Sequence, residues 1–413
     1  MNLAAFASRF PGLAVLRHAP FARFVLCRFC ATLSWQMLAV AVGWQVYAIT
    51  HDPLALGAVG LSEFLPFLSL LIVGGHVADH ADRRRVLVVA WSIETLCMGA
   101  LLGLSLAHSR TVWPIFAVVC VFGSTRAFYA PAQQALLPTL VPREEFTRAV
   151  ALNSTLFQTG VIVGPSLGGV LFLLGPAVTY GACMGLFVLV VLLALSLGTR
   201  RAQPSPGRSG ESRGHQLLEG IRYVWHQRVV LGVMSLDLFA VLFGGATALL
   251  PIYASEVLHI GPVGLGVLRT APGVGAALTA GALMLWPISR HGGVFIFGGV
   301  ALFGACTLVF GVSHSVALSV AALVLLGCGD MLSVYVRGVL VQLNTPDAIR
   351  GRVSAINQMF IGGSNELGEF ESGVTARWFG PVPAVLLGGA LTLAVVGSWM
   401  LLFPQLRRLD HLR

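Results

Sequence analysis

Residues 54–85 read LALGAVGLSEFLPFLSLLIVGGHVADHADRRR. Up to Val77 the only charge is Glu63, and the run is long enough to cross a bilayer, whose apolar core takes about 20 such residues. The next eight residues hold Asp79, Asp82 and three consecutive Arg. An apolar rod that ends abruptly in packed charge is a transmembrane helix meeting its polar rim. The rest of the chain repeats this alternation. Of 413 residues, 56% are apolar and only 10% are Asp, Glu, Lys or Arg, against about 25% in a soluble domain. The mean hydropathy is +0.83. A soluble fold of this length would lack the charged side chains needed to coat its exterior. The 48 Gly suit closely packed membrane helices. A soluble enzyme, a disordered chain and a nucleic-acid binder are excluded.

Twelve spans follow, at 22–49, 54–77, 86–107, 112–134, 147–174, 176–198, 229–255, 262–289, 292–312, 315–343, 349–378 and 382–404. The runs are long and unbroken, so they predict helices rather than a barrel of short alternating strands. All 26 basic residues are Arg. With both termini in the cytoplasm, 21 of them fall on the inner side, two (Arg110 and Arg377) fall outside, and Arg126, Arg269 and Arg337 lie within helices. That asymmetry sets the orientation and accounts for the net charge of +9 without nucleic acid. Residues 199–228 are polar, with Pro204, Pro206 and Gly207. They read as a cytoplasmic linker between six-helix bundles 1–198 and 229–413.

The bundles repeat each other. At an offset of 206, Tyr47, Gly60, Pro66 and Gly75 meet Tyr253, Gly266, Pro272 and Gly281. At an offset of 204, Pro142, Arg148, Asn153, Gly164 and Gly169 meet Pro346, Arg352, Asn357, Gly368 and Gly373. A parallel six-plus-six repeat is the architecture of a secondary transporter with a site near the bilayer midplane. Catalytic signals are weak. Gly164-x-Ser166-x-Gly168 matches the nucleophile elbow formally but sits in an apolar run, where that motif needs a strand-turn-helix. No Lys is present for a phosphate loop. Cys27-x-x-Cys30 has no companion pair and reads as small packing residues. No metal, no cofactor and no enzymatic activity are expected, and an ion gradient is the expected energy source.

The segment from Gly75 through Asp79, Asp82, Arg83 and Arg84 resembles the G-x-x-x-D-R-x-G-R-R loop of the major facilitator superfamily, with His80 and Asp82 in place of Arg and Gly. Gly160-Val-Ile-Val-Gly164-Pro165-Ser-Leu-Gly168-Gly169 resembles the fifth-helix motif of that superfamily's antiporters, chiefly exporters. Arg126 stands where those antiporters carry an Arg on the fourth helix. Together with 126–142, 153–169 and 363–373, these motifs resemble the superfamily branch of enterobactin exporters and transmembrane secretion effectors. The resemblance implies the twelve-helix fold, alternating access, a cytoplasmic gating loop at Gly75–Arg84, and a cavity lined by the first, fourth, seventh and tenth helices. Arg126, Asp237, Asp330 and Arg337 then become cavity candidates.

A charge inside the bilayer costs about 2.5–3.5 kcal/mol even on the lenient scale, so each is a functional candidate. They are Glu63, Glu94, Arg126, Asp237, Arg269, Asp330, Arg337, Glu366, Glu369 and Glu371. Glu63 lies about 13 Å into its helix, and its repeat mate is Arg269. A carboxyl group held away from water can exchange protons near neutrality. Proton coupling is therefore assigned to Glu63 first, then Glu369, with Asp237, Asp330 and Glu366 behind them. Arg126, Arg337 and Arg269 are the substrate-cavity candidates, and they would favour an anionic small molecule.

The expected function is proton-coupled export of a small organic molecule such as a siderophore, from a bacterial inner membrane, by a monomer in the lipid bilayer. A broad drug or macrolide antiporter is the alternative. A non-transporting scaffold or sensor is a further alternative, but it would not retain the cost of the buried charges.

Overall fold

The computed structural model describes residues 13–197, 213–288, 290–346 and 349–410, except the side chains of 13, 14, 79, 213–218 and 355. Long helices follow one another in the order α1 (Ala19–Thr50), α2 (Pro53–His80), α3 (Arg83–Leu106), α4 (Trp113–Leu136), α5 (Phe146–Phe172) and α6 (Pro176–Leu195). After the linker come α7 (Arg228–Phe243), α8 (Gly261–Leu285), α9 (Gly292–Val312), α10 (Val316–Leu343), α11 (Arg350–Phe379) and α12 (Pro381–Leu402). The helices face outward with apolar side chains such as Leu96, Met284 and Leu401, each more than 70% exposed. Trp113, Trp286 and Trp378 stand exposed at helix ends, where amphipathic rings anchor a membrane protein at the lipid headgroups.

The expectation of twelve apolar spans needs correcting. Among the described residues, eleven helices are long and apolar enough to cross a membrane. The exception is α11, which is long enough at 30 residues but carries Asn357, Gln358, Asn365, Glu366, Glu369 and Glu371. The seventh span also differs from the unbroken helix expected. It stops at Phe243 and resumes as a 3-10 turn, a short α segment and a π-helical turn to Val257. Side chains would not fit at the break. A methyl on Gly245 would stand 2.8 Å from the Gly368 carbonyl oxygen, and one on Gly244 would enter the Phe303 ring. Pro251 then removes a backbone donor just downstream.

His51, His108 and His259 sit just past helix ends with φ of 49°, 50° and 52°. This is the left-handed conformation that commonly ends a helix, and His adopts it more readily than most side chains. These three histidines thus serve as helix terminators.

The chain forms two compact units. The first takes in Met1–Gln45 and Leu65–Gly207, the second Val46–Phe64 and Arg208–Arg413. The boundary therefore falls inside α1 and inside α2. In the first unit, α3 packs against α4 and α6 around fully buried Trp91, Tyr180 and Phe187. In the second, α7, α9, α10 and α11 share a core that includes Val233, Phe297, Leu340 and Ile356. The described residues of the linker include a helix, Arg213–His226. Its Val224 joins that core, Glu219 pairs with Arg352, and the Tyr223 hydroxyl donates to the Asn344 carbonyl.

Candidate functional site

The charged loop after α2 works as a clip within the first unit. Asp82 caps α3, its carboxylate accepting from the backbone N–H of Arg84 at 2.9 Å and of Arg85 at 3.4 Å. Arg83 donates to the Ala135 carbonyl at 2.7 Å. Arg84 donates to the carbonyls of Ala194, at 3.2 Å, and Leu195. The last turns of α4 and α6 leave carbonyls without intrahelical partners, and their ends carry negative partial charge. Two adjacent Arg satisfy both ends from one loop. The Asp79 side chain lies outside the described residues. Gly75 lies one residue past the close approach of α2 to α4, which is made at Gly74, where a methyl would collide with the Ala127 carbonyl.

The glycine stripe of α5 receives α1. A methyl on Gly160 would stand 3.1 Å from Thr32 Cγ2, one on Gly164 2.5 Å from Gln36 Cβ, and one on Gly168 2.8 Å from Met37 Cα. Three glycines one turn apart thus bring two backbones together. Pro165 lies inside α5 and is buried, as is Gly169. Beside this contact, α1, α3, α4, α5 and α6 line a partly open cavity of about 150 Å³ with Arg28, Trp35, Glu94, Arg126, Tyr129 and Phe157, among others. The guanidinium carbon of Arg126 lies 5.1 Å from the Phe67 ring centroid and 5.9 Å from that of Trp35. That of Arg28 lies 5.2 Å from the Phe157 ring. Glu94 is 2% exposed and accepts from the Thr125 hydroxyl at 2.9 Å. Sequence reasoning singled out Arg126. It counted Arg28 among the inner flanking charges, although Arg28 is the tenth residue of α1.

The second unit holds the remaining charges in two groups, apart from Glu371, which accepts from the Thr375 hydroxyl at 2.7 Å. On α7 and α10, Asp237 and Arg337 form an ion pair whose side chains are 6% and 3% exposed. Asp330, two turns away on α10, is electrostatically linked to both. On α2, α8 and α11, Glu369 has Arg269 and Glu63 as its charged neighbours. Gly60 makes the room for this group. A methyl there would stand 2.8 Å from Glu369 Oε2 and 3.3 Å from Glu366 Oε2. At Gly57 and Gly373 the backbones of α2 and α11 nearly touch, a methyl on Gly373 standing 2.9 Å from Gly57 Cα. Arg269, Glu63 and Glu369 are thus brought together, Arg337 is matched to Asp237, and Arg126 stands in the other unit. In each group of the second unit the named carboxyl groups outnumber the guanidinium. In the first-unit cavity the order is reversed, with Arg28 and Arg126 against Glu94.

The segment Val46–Phe64 carries further polar ties within the second unit. The Tyr47 hydroxyl donates to Glu256, and Arg377 pairs with Asp52 at 3.3 Å.

Comparison with known proteins agrees with this architecture. Residues 10–412 match the family described as transmembrane secretion effector. The chain is 29% identical over 403 residues to the enterobactin exporter EntS of Citrobacter koseri, covering 95% of this chain and 93% of that one. It is 28% identical over 401 residues to EntS of Escherichia coli O1:K1 / APEC, covering 92% of each. Its fold matches the crystal structure of the nucleoside transporter NupG with a TM-score of 0.70 at 16% identity, covering 93% of this chain and 99% of that one. It also matches a bacterial homologue of the human lysosomal transporter Spinster, in an inward-facing and unoccupied conformation, with a TM-score of 0.71 at 12% identity, covering 95% and 96%. The chain is a multi-pass membrane protein with the major facilitator transporter fold, and it belongs to the transmembrane secretion effector family.

Proposed function

We propose that this chain is a secondary active exporter of a small, negatively charged organic molecule, driven by proton exchange and working by alternating access as a monomer. In this reading bundles 1–198 and 229–413 are the moving parts, 199–228 joins them, and both termini face the cytoplasm of a bacterial inner membrane. The observation that carries it is the group Glu63–Arg269–Glu369, with Glu366 beside it, where α2, α8 and the polar α11 meet. One guanidinium balances one carboxylate. Protons on the other carboxyl groups would bring the charge of the named group to balance, which a membrane interior favours because an uncompensated charge there is so costly. Such a group binds and releases protons when its exposure changes. The Asp237–Arg337–Asp330 group repeats the imbalance and supports the same role. The loop at Gly75–Arg84, clipped to α4 and α6, would shift those helix ends together.

The likeness to enterobactin exporters makes a siderophore the proposed cargo. The test uses purified protein in vesicles of known orientation under an imposed pH gradient, with a siderophore as cargo. Glu63→Gln and Glu369→Gln are each expected to abolish gradient-driven accumulation while leaving exchange of cargo across the membrane measurable. If both variants accumulate cargo as the parent does, the proton assignment fails. In cells, deletion of the gene is expected to trap the chelator inside. Unchanged chelator release with lowered resistance to several unrelated compounds would favour a drug antiporter instead.

A further inference from the structure

We infer that the cavity of the first unit is a binding site for a singly charged anion carried on one aromatic ring. Three observations converge on that ligand class. The first is size. A cavity of about 150 Å³ is the volume known to accept a single benzene ring, and it is well below the range of pockets that enclose a whole drug-sized molecule. The site takes one ring of a ligand.

The second is charge. Among the lining residues two guanidiniums, Arg28 and Arg126, stand against one carboxylate, Glu94. Formally this leaves a surplus of one positive charge inside an apolar bundle. A monoanion neutralises it; a dianion overshoots and a cation is repelled. Guanidinium suits this task because its planar fork meets a carboxylate with two parallel hydrogen bonds and keeps its proton at any ordinary pH.

The third is shape. Arg126 is placed against Trp35 and Phe67, and Arg28 against Phe157, at 5.1–5.9 Å from the ring centroids. These contacts fix the guanidinium planes before a ligand arrives, which lowers the ordering cost of binding. The lining aromatic side chains also give a ligand ring faces and edges to pack against. Glu94, held by the Thr125 hydroxyl at 2.9 Å, sets the charge count and therefore the preference for one negative charge over two.

The inference deepens the exporter reading by naming the chemistry of the recognised part of the cargo, and it can be tested apart from transport. The experiment measures equilibrium binding to the purified full-length protein in lipid nanodiscs, with no pH gradient. Benzoate is the probe. Acetate and inorganic phosphate are anions without a ring, benzamide is a ring without charge, and phthalate is a ring with two charges. Benzoate is expected to bind with a Kd on the order of 0.1–1 mM, as suits so small a ligand. Acetate, phosphate and benzamide should bind at least tenfold more weakly. Arg28→Gln and Arg126→Gln should each weaken benzoate at least tenfold, whereas Arg377→Gln, in the other unit, should leave it unchanged. Glu94→Gln should reverse the order of benzoate and phthalate, an outcome that mere loosening of the fold would not produce. Thermal melting of each variant identifies any that misfolds, and Arg126→Lys retains the charge if Arg126→Gln does not fold. Benzamide binding as tightly as benzoate, or unaltered benzoate binding in both Arg variants, would overturn the site. Glu63→Gln and Glu369→Gln should bind benzoate normally. Loss of transport in those variants with binding intact leaves the site standing, and failure of benzoate binding with transport intact removes the site alone.

Discussion

Replacing Arg337 by Met tests the buried charge balance of the second unit most directly. Arg337 and Asp237 are 3% and 6% exposed at their side chains, so water cannot compensate whichever partner is left. Breaking such a pair from one side costs about 3–5 kcal/mol. Asp237→Asn should cost less, because the orphaned Arg337 still faces Asp330. At about 10 Å along the helix and an effective dielectric of about 20, that attraction recovers about 1–2 kcal/mol. The two variants should also differ in pH response. Arg337→Met orphans carboxyl groups, which take up protons as the pH falls, so its deficit should shrink between pH 8 and pH 5.5. Asp237→Asn orphans a guanidinium, which cannot release its proton, so its deficit should persist. The assay is thermal unfolding in detergent followed with a thiol-reactive dye. It is well suited here because Cys306 on α9 is buried in the same unit. At about 2–4 °C per kcal/mol for a unit of this size, Arg337→Met at pH 8 should melt about 6–20 °C below the parent. Melting of both variants within 2 °C of the parent at both pH values would show that the pair does not carry the balance described.

Further outcomes follow from the close contacts. Gly164→Ala and Gly168→Ala should each destabilise by about 1–3 kcal/mol through overpacking against α1, whereas Gly181→Ala and Gly185→Ala, with nothing within 4 Å, should be neutral or gain up to about 1 kcal/mol of helix propensity; melting temperatures decide. Gly60→Ala should push the Glu369 carboxyl aside and slow gradient-driven transport more than it lowers the melting temperature, measured on the same vesicle preparation. Arg84→Ala should cost about 1 kcal/mol, since the side chain is partly exposed, and amide exchange at the end of α6 should quicken. His108→Gly should be neutral or stabilising at φ 50°, while His108→Val should destabilise by about 1–2 kcal/mol. Equal melting of the two His108 variants would contradict the left-handed assignment.

Most spans were legible because length and apolarity suffice to define them. α11 was placed at 349–378 by its length and lies at Arg350–Phe379, but its polar residues keep it out of the apolar class. Its Glu366 and Glu369 lie against Gly60 of α2, and Glu369 has Arg269 of α8 as a charged neighbour; a local hydropathy average cannot foresee partners so distant in sequence. The break at Gly244–Gly245 was illegible for a similar reason, since it answers to Phe303 and Gly368 rather than to its neighbours. The internal repeat did place Glu63 and Arg269 in register, but the third member, Glu369, has no repeat mate to announce it. Asp237 and Arg337 are 100 residues apart, and nothing local pairs them. Arg28 was counted with the inner-side charges, near the start of its span, and so was not singled out as a cavity residue. Its aromatic cover, Phe157, stands on a helix four elements later.

The polar character of α11 bears on how the protein enters the membrane. Left alone in lipid, its Glu366, Glu369 and Glu371 would each resist insertion by a few kcal/mol. The helix that follows begins after a single residue, Gly380, at φ 90°, and α12 is strongly apolar. The two are thus built to partition as a hairpin, the second limb drawing in the first, with Arg269 on α8 placed to receive Glu369. Shortening α12 should therefore strand α11 outside the bilayer, although no residue of α11 has been changed.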